Sequence, residues 1–249
     1  MDIVLLGTAA AAGSVQRDNT YMLLRGETGS WMIDVGGNPL GKLKQLGMEL
    51  SEIRGVMFTH FHVDHIYGLP SLLWGMWIAK RKDPLEIYCL DTDEQQLRSI
   101  LASFQVEQWP IGFEVRIHTF TRETPSQLVA ERDLTVSTFP ALHARPTVGF
   151  KVQCEDRVLL YSADTRPNEW IREQPRIDVL IHEANMARGA SKAHTSLEEL
   201  LQFYPVDRIG RIVAIHLSDG SPYEEVLAEQ DSAIRSKVTL AEDLQVITF

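Results

Sequence analysis

Short runs rich in valine, isoleucine and leucine alternate with amphipathic stretches along the whole chain. The runs predict strands at Ile3–Leu6, Tyr21–Leu24, Trp31–Asp34, Gly55–Thr59, Leu85–Leu90, Glu114–Phe120, Leu134–Phe139, Gly149–Gln153, Val158–Ser162, Val179–Glu183, Arg211–His216 and Leu244–Phe249. The amphipathic stretches predict helices over Pro39–Leu46, Leu69–Lys80, Asp93–Leu101, Leu197–Tyr204 and Tyr223–Ser236. Such alternation predicts an α/β layered fold. No Ser/Gly/Pro-rich linker or composition break interrupts it, so residues 1–249 read as one domain.

Four ionisable residues stand where apolar runs give way to polar or glycine-rich loops: Asp34, His60, Asp164 and His216. Ligands gather at the C-terminal ends of strands in open α/β sheets, where loops converge, so these four point to a single site.

The densest chemistry follows the run GVMF, in Thr59-His60-Phe61-His62-Val63-Asp64-His65. On a helix His60 and His62 would diverge; in an extended turn both imidazoles can face one ion. Asp64 and His65 then enter the next helix, where a second ion can be held. Neutral imidazole nitrogen and carboxylate oxygen suit zinc. Three of the chain's eight histidines fall in this one segment, so a chance polar loop is a poor account of it.

Composition narrows the partners. Hydrophobic residues are 44% and charged residues 23%, the proportions of a globular protein. A formal net charge of −10 repels phosphate backbones at long range and weighs against gripping long nucleic acid; bound divalent ions would offset part of it. Cys89 and Cys154 sit in apolar runs and read as buried free thiols. The N-terminal MDIVLLG has no basic leader region, and the apolar stretch Leu72–Ala79 is too short to span a bilayer, so a cytoplasmic protein with no membrane partner is expected. Trp74, Met76 and Trp77 within that stretch read first as core, and second as a pocket wall or homodimer contact.

His-x-His-x-Asp-His after an apolar strand resembles the signature of the metallo-β-lactamase-fold hydrolases. Asp34 in Met32-Ile33-Asp34-Val35-Gly36 matches the aspartate that braces the metal loop there. His143 in Leu142-His143-Ala144-Arg145-Pro146-Thr147-Val148-Gly149-Phe150 matches the third metal-binding histidine, Asp164 in Ala163-Asp164-Thr165-Arg166-Pro167 the bridging aspartate, and His216 in Ile215-His216-Leu217-Ser218 the last ligand. His-x-x-x-Thr-x-Gly-Phe, the Gly-Leu-Pro after the metal motif, His182-Glu183-Ala184-Asn185 and His194-Thr195-Ser196 are similar to the ribonuclease Z branch. The resemblance implies a four-layer αββα sandwich, two central mixed sheets flanked by helices. It departs in four places, one being that His194-Thr195-Ser196 is a permuted form of the branch's His-Ser-Thr. Only 20 residues separate His143 from Asp164, too few for that branch's transfer-RNA arm; Ser-Asp-Gly-Ser follows His216 in place of Ser-Ser-Arg-Tyr; and Asn185 replaces a threonine.

The resemblance implies two divalent ions, zinc first and manganese second, ~3.5–4 Å apart with a bridging hydroxide as nucleophile. His60, His62 and His143 would hold one ion, Asp64, His65 and His216 the other, with Asp164 between them and Asp64 in reach of the water. His194 precedes a helix start whose free N–H groups would favour an anion, so it would bind phosphate or protonate the leaving oxygen; a plain surface loop is the alternative. Glu183 would fix His194 or a ligand. Arg145 and Arg166 flank ligand loops as phosphate contacts or surface ion pairs, His182 faces the sheet, and His118 has no motif around it. The expected activity is a metal-dependent phosphodiesterase on small phosphodiesters. Hydrolysis of a carboxylic or sulfuric ester or a lactone is the alternative, and a metal-retaining ligand sensor the non-enzymatic one.

Overall fold

The computed structural model describes residues Met1–Phe249. The first half lays down β1 (Asp2–Gly7), β2 (Tyr21–Gly26), β3 (Gly29–Ile33), β4 (Ile53–Met57), β5 (Leu85–Leu90) and β6 (Val115–Phe120). The second half lays down β7 (Gln127–Ala130), β8 (Thr135–Pro140), β9 (Val148–Cys154), β10 (Arg157–Tyr161), β11 (Ile177–Glu183), β12 (Ile209–Ile215) and β13 (Val238–Leu240), and β14 (Gln245–Thr248) returns to pair with β1. Two seven-stranded sheets result, ordered β14-β1-β2-β3-β4-β5-β6 and β13-β12-β11-β10-β9-β8-β7. Each sheet is antiparallel on one side and parallel on the other, from β3 to β6 and from β10 to β13.

Helices α1 (Pro39–Gln45), α2 (Val63–Ile66), α3 (Leu69–Ile78) and α4 (Glu94–Ser103) accompany the first sheet; α5 (Glu169–Arg172), α6 (Leu197–Phe203), α7 (Tyr223–Ala228) and α8 (Ser232–Arg235) accompany the second. Strand alternation sorts the core into three apolar layers. Ile3, Leu5, Val179, Ile181, Val213 and Ile215 meet between the sheets. Val4 and Leu6 face the other way, against Leu43, Leu72 and Leu97 of the helices, and Leu180 and Ile212 do the same toward Leu197, Leu200 and Val226. Three apolar layers separate four layers of elements, which is the expected αββα sandwich. Because both faces of these strands are covered, their sequences are apolar throughout.

Two expectations are corrected here. Tyr223–Ser236 is not one helix: α7 ends at Ala228, and the Asp231 carboxylate accepts the Ile234 N–H at 2.8 Å, starting α8 anew. The short edge strands β7 and β13 lack the apolar run that announces the others and add to the expected set. Between His143 and Asp164 the chain holds only β9, a two-residue turn at Glu155 and Asp156, and β10. Trp77 packs against the first sheet's outer core, whereas Trp74 is half-exposed beside Trp77 and Trp109. No helix is long and apolar enough to cross a membrane.

Candidate metal centre

The parallel strands of both sheets end at one place. Asp34 follows β3, His60 follows β4, Asp164 follows β10, Glu183 closes β11 and His216 follows β12. Asp34, His216 and Ala163, the residue before Asp164, all take left-handed backbone (φ 59°, 59° and 52°). Such φ values are unfavourable for residues with a Cβ and collect at functional sites. Gly36 has no Cβ for a simple reason: one would lie 2.0 Å from the Asp64 carbonyl oxygen. The loop after β3 therefore lies directly on α2, joined by Val35 N–H to His65 O at 2.8 Å.

Asp34 fixes the motif after β4. Its carboxylate accepts the Thr59 N–H, the Thr59 hydroxyl and the His65 Nδ1–H, each at 2.8 Å. The Thr59 hydroxyl then accepts His60 Nδ1–H at 3.0 Å. His143 Nδ1–H donates to the Ala193 carbonyl at 2.8 Å. Thr20 donates to the Ala9 carbonyl and accepts His216 Nδ1–H at 3.1 Å. Each bond fixes a tautomer and leaves Nε2 as the open atom.

Those open atoms converge in two groups. His60 Nε2 and His143 Nε2 both lie 3.0 Å from His62 Nδ1 and 3.8 Å from Asp164 Oδ2. On the other side of the same carboxylate, His65 Nε2 lies 3.5 Å from Asp164 Oδ1 and 3.4 Å from Asp64 Oδ2, with His216 completing the set. Asp64 Oδ2, His65 Nε2, Asp164 Oδ1 and His216 Nε2 are buried without a hydrogen-bond partner. Buried polar atoms are rarely left unpaired, and four from one cluster fit a cation-binding site. Protonation states agree. Burial lowers His60, His62 and His143 and pushes His216 down to about 4, so their lone pairs are free at neutral pH. Burial alone would raise Asp164, but His216, His65 and His60 outweigh it and hold the carboxyl well below its usual range. His65 is the exception: burial opposes its charge, yet Asp164 and Asp34 raise it well above the ordinary value, so a cation entering here displaces its proton. The donor set of imidazole and carboxylate fits a divalent ion.

Beside the second group, His194 Nδ1–H donates to Glu183 Oε1 at 2.9 Å. Glu183 is buried and also accepts N–H bonds from Thr165 at 2.7 Å and Asn185 at 3.3 Å. Burial raises Glu183 to about 8; burial opposes a charged His194, but the bond to Glu183 raises it above its ordinary value. The pair thus retains a proton near neutral pH. The ring of His194 stacks at 5.7 Å from His216 and meets His143 edge-on at 4.8 Å.

The structure brings together all seven expected ligands, Asp64 among them, and places Glu183 and His194 beside them. It corrects the reading of α6 as an anion site. Ser196 and Glu199 form a reciprocal capping box, and the Leu197 and Glu198 amides donate to Met186 O and Ala187 O, so no N–H is free at that helix start. His182 is fully buried, donating Nδ1–H to the Glu183 carbonyl at 2.7 Å and accepting the Tyr204 hydroxyl at Nε2 at 2.8 Å. Arg145 is not free for phosphate: it bonds the Phe61 carbonyl and Asp93. His118 is an exposed partner of Glu86. Nothing in the sequence marks Thr20, because its partner lies 196 positions away and no motif surrounds it.

Known proteins resemble this chain in sequence and in fold. The sequence profile of the family described as "Anti-Pycsar protein Apyc1" matches residues 1–239. Ribonuclease Z of Methanothermobacter thermautotrophicus is 23% identical over 301 aligned positions, covering 99% of this chain and 96% of that one. The crystal structure of human tRNase Z, short form, superposes with a TM-score of 0.79 at 24% identity, covering 100% of this chain and 99% of that one. The metallo-beta-lactamase fold protein YhfI from Bacillus subtilis gives 0.82 at 17% identity, covering 99% and 98%. These likenesses bear out the fold expected from the metal motif.

Proposed function

The chain belongs to the family of the anti-Pycsar protein Apyc1, and from the geometry of its metal centre we propose that it is a dinuclear metal-dependent phosphodiesterase for small, nucleotide-like substrates. The observation that carries the reading is Asp164, whose two oxygens face two separate groups of nitrogen and oxygen donors. His60, His62 and His143 would hold one ion, and Asp64, His65 and His216 the other. Zinc suits these donors best, with manganese as second choice. Two such ions supply charge neutralisation on the phosphoryl oxygens and a hydroxide at neutral pH.

The remaining work falls to the chain's own side chains. Asp64, buried at the edge of the second group, orients the attacking water and accepts its proton. His194 keeps Nδ1–H on Glu183 while its ring packs on His143 and His216; it would donate a proton to the departing oxygen. Glu183 holds that imidazole in one tautomer and supports its positive charge. Relatives named ribonuclease Z support phosphodiester chemistry. The two-residue turn between β9 and β10, together with the net charge of −10, supports a small substrate over a long nucleic acid.

The test is a hydrolysis panel after zinc or manganese loading: bis-p-nitrophenyl phosphate, cyclic nucleotides, aryl sulfates and lactones. Turnover of the phosphodiesters is expected. Turnover confined to the sulfates or lactones would replace the reading with ester hydrolysis, and none at all would favour a sensor.

A further inference from the structure

Of the three histidines in the first metal group, two are held from behind. His60 Nδ1–H is held by Thr59 and His143 Nδ1–H by Ala193. His62 is not: its only side-chain hydrogen-bond partners are the other two imidazoles, at Nδ1. Its aim rests on where its backbone stands.

That backbone is held by Arg145. One guanidinium nitrogen donates to the carbonyl of Phe61, the residue before His62, at 2.5 Å. The other is bound by the Asp93 carboxylate, with Gln96 Oε1 at 3.4 Å. Asp93 is 1% exposed and stands immediately before α4, so the guanidinium is anchored to a rigid element. Arg145 lies two residues beyond His143, and a backbone bond from Val148 N–H to Thr59 O at 3.2 Å runs alongside. One side chain on the third-ligand loop therefore grips the loop of the first two ligands, and it does so at His62.

We propose that Arg145, anchored by Asp93, is a positioning residue for the first metal site, substituting for the partner that His62 lacks. The inference rests on the metal centre proposed above. It makes a prediction opposite to simple electrostatics. Arg145 places a positive charge near the site, so removing that charge alone would tighten cation binding. Removing a brace should weaken it, by the 10–100-fold typical of residues behind metal ligands.

The experiment is zinc titration against a competing chelator for the wild type, Arg145→Met, Arg145→Lys and Asp93→Asn, with kcat and KM measured at saturating zinc. Arg145→Met should weaken one of the two zinc equivalents about 10–100-fold and leave the other unchanged. Asp93→Asn should shift the same equivalent in the same direction. Arg145→Lys, which keeps the charge but loses the two-armed fork, should fall between. Affinity equal to or tighter than wild type in Arg145→Met would overturn the proposal. So would equal loss at both sites, which marks a general packing role, or a raised KM with intact zinc binding, which marks a substrate contact. If the wild type itself binds no zinc, the metal centre fails instead, and the two failures are distinct.

Discussion

His194 is surrounded by the proposed metal ligands and yet bonds none of them: its Nδ1–H goes to Glu183, and its ring only packs on His143 and His216. Proton transfer and ligation can therefore be separated by one substitution. His194→Ala should retain full metal content and lower kcat by ~10²–10⁴-fold for a poor leaving group. The loss should shrink for p-nitrophenolate, which departs without a proton. Equal losses for both leaving groups would make His194 a phosphate contact, and unchanged turnover would make it structural. At this scale the ligands were legible because four of them sit in one motif, Asp164 and His216 follow apolar strands, and His143 stands in a stretch that resembles a family pattern. Thr20 and Arg145 were not, since each acquires its role from a loop that is distant in sequence.

Between elements, the join of β11 to α6 carries a titration of its own. His182 on β11 is pushed by burial from 6.5 down to about 4 and is tied to Tyr204 just beyond α6. The native state keeps this imidazole neutral while the unfolded chain protonates near its ordinary pKa. Stability from this group is therefore full above pH 6.5 and is lost as pH falls toward 4, to the extent of ~3 kcal/mol. His182→Gln, which retains a donor and an acceptor but does not titrate, should lose less stability over that interval in chemical denaturation of the metal-free protein. Parallel curves for the two proteins would remove His182 from the acid response. Helix boundaries at this scale were legible where an apolar stripe and a cap agreed, as at Ser196 and Leu197. They were not where the stripe ran on past a break, as at Asp231, because periodicity does not register the cap inside it.

For the whole molecule, the centre draws His60, His62, Asp64 and His65 from the first half of the chain and His143, Asp164 and His216 from the second. Ions bound there would fasten one sheet to the other. Binding to the native state alone stabilises by about 2.7 kcal/mol for each hundredfold excess over Kd, to first order, so a chelator should lower Tm. Asp164→Ala should contain fewer than two ions by elemental analysis and show a smaller chelator-induced shift. A melting curve unmoved by verified metal removal would uncouple the site from the fold. The layered architecture was legible from alternation alone, but the repetition of antiparallel then parallel strands in each sheet was not, because pairing direction leaves no mark in a strand that is apolar on both faces.

The left-handed backbone at Asp34 and His216 sets ease of folding against use. Glycine would relax the chain at either position, as it commonly does where φ is positive. At 34 it would strip Thr59 and His65 of their acceptor, and at 216 it would delete a donor outright. The substitutions that would most comfort the backbone are the ones that empty the centre. At 34 the aspartate offsets its strained backbone with three buried hydrogen bonds, whereas at 216 the strained histidine is a standing cost of keeping the site.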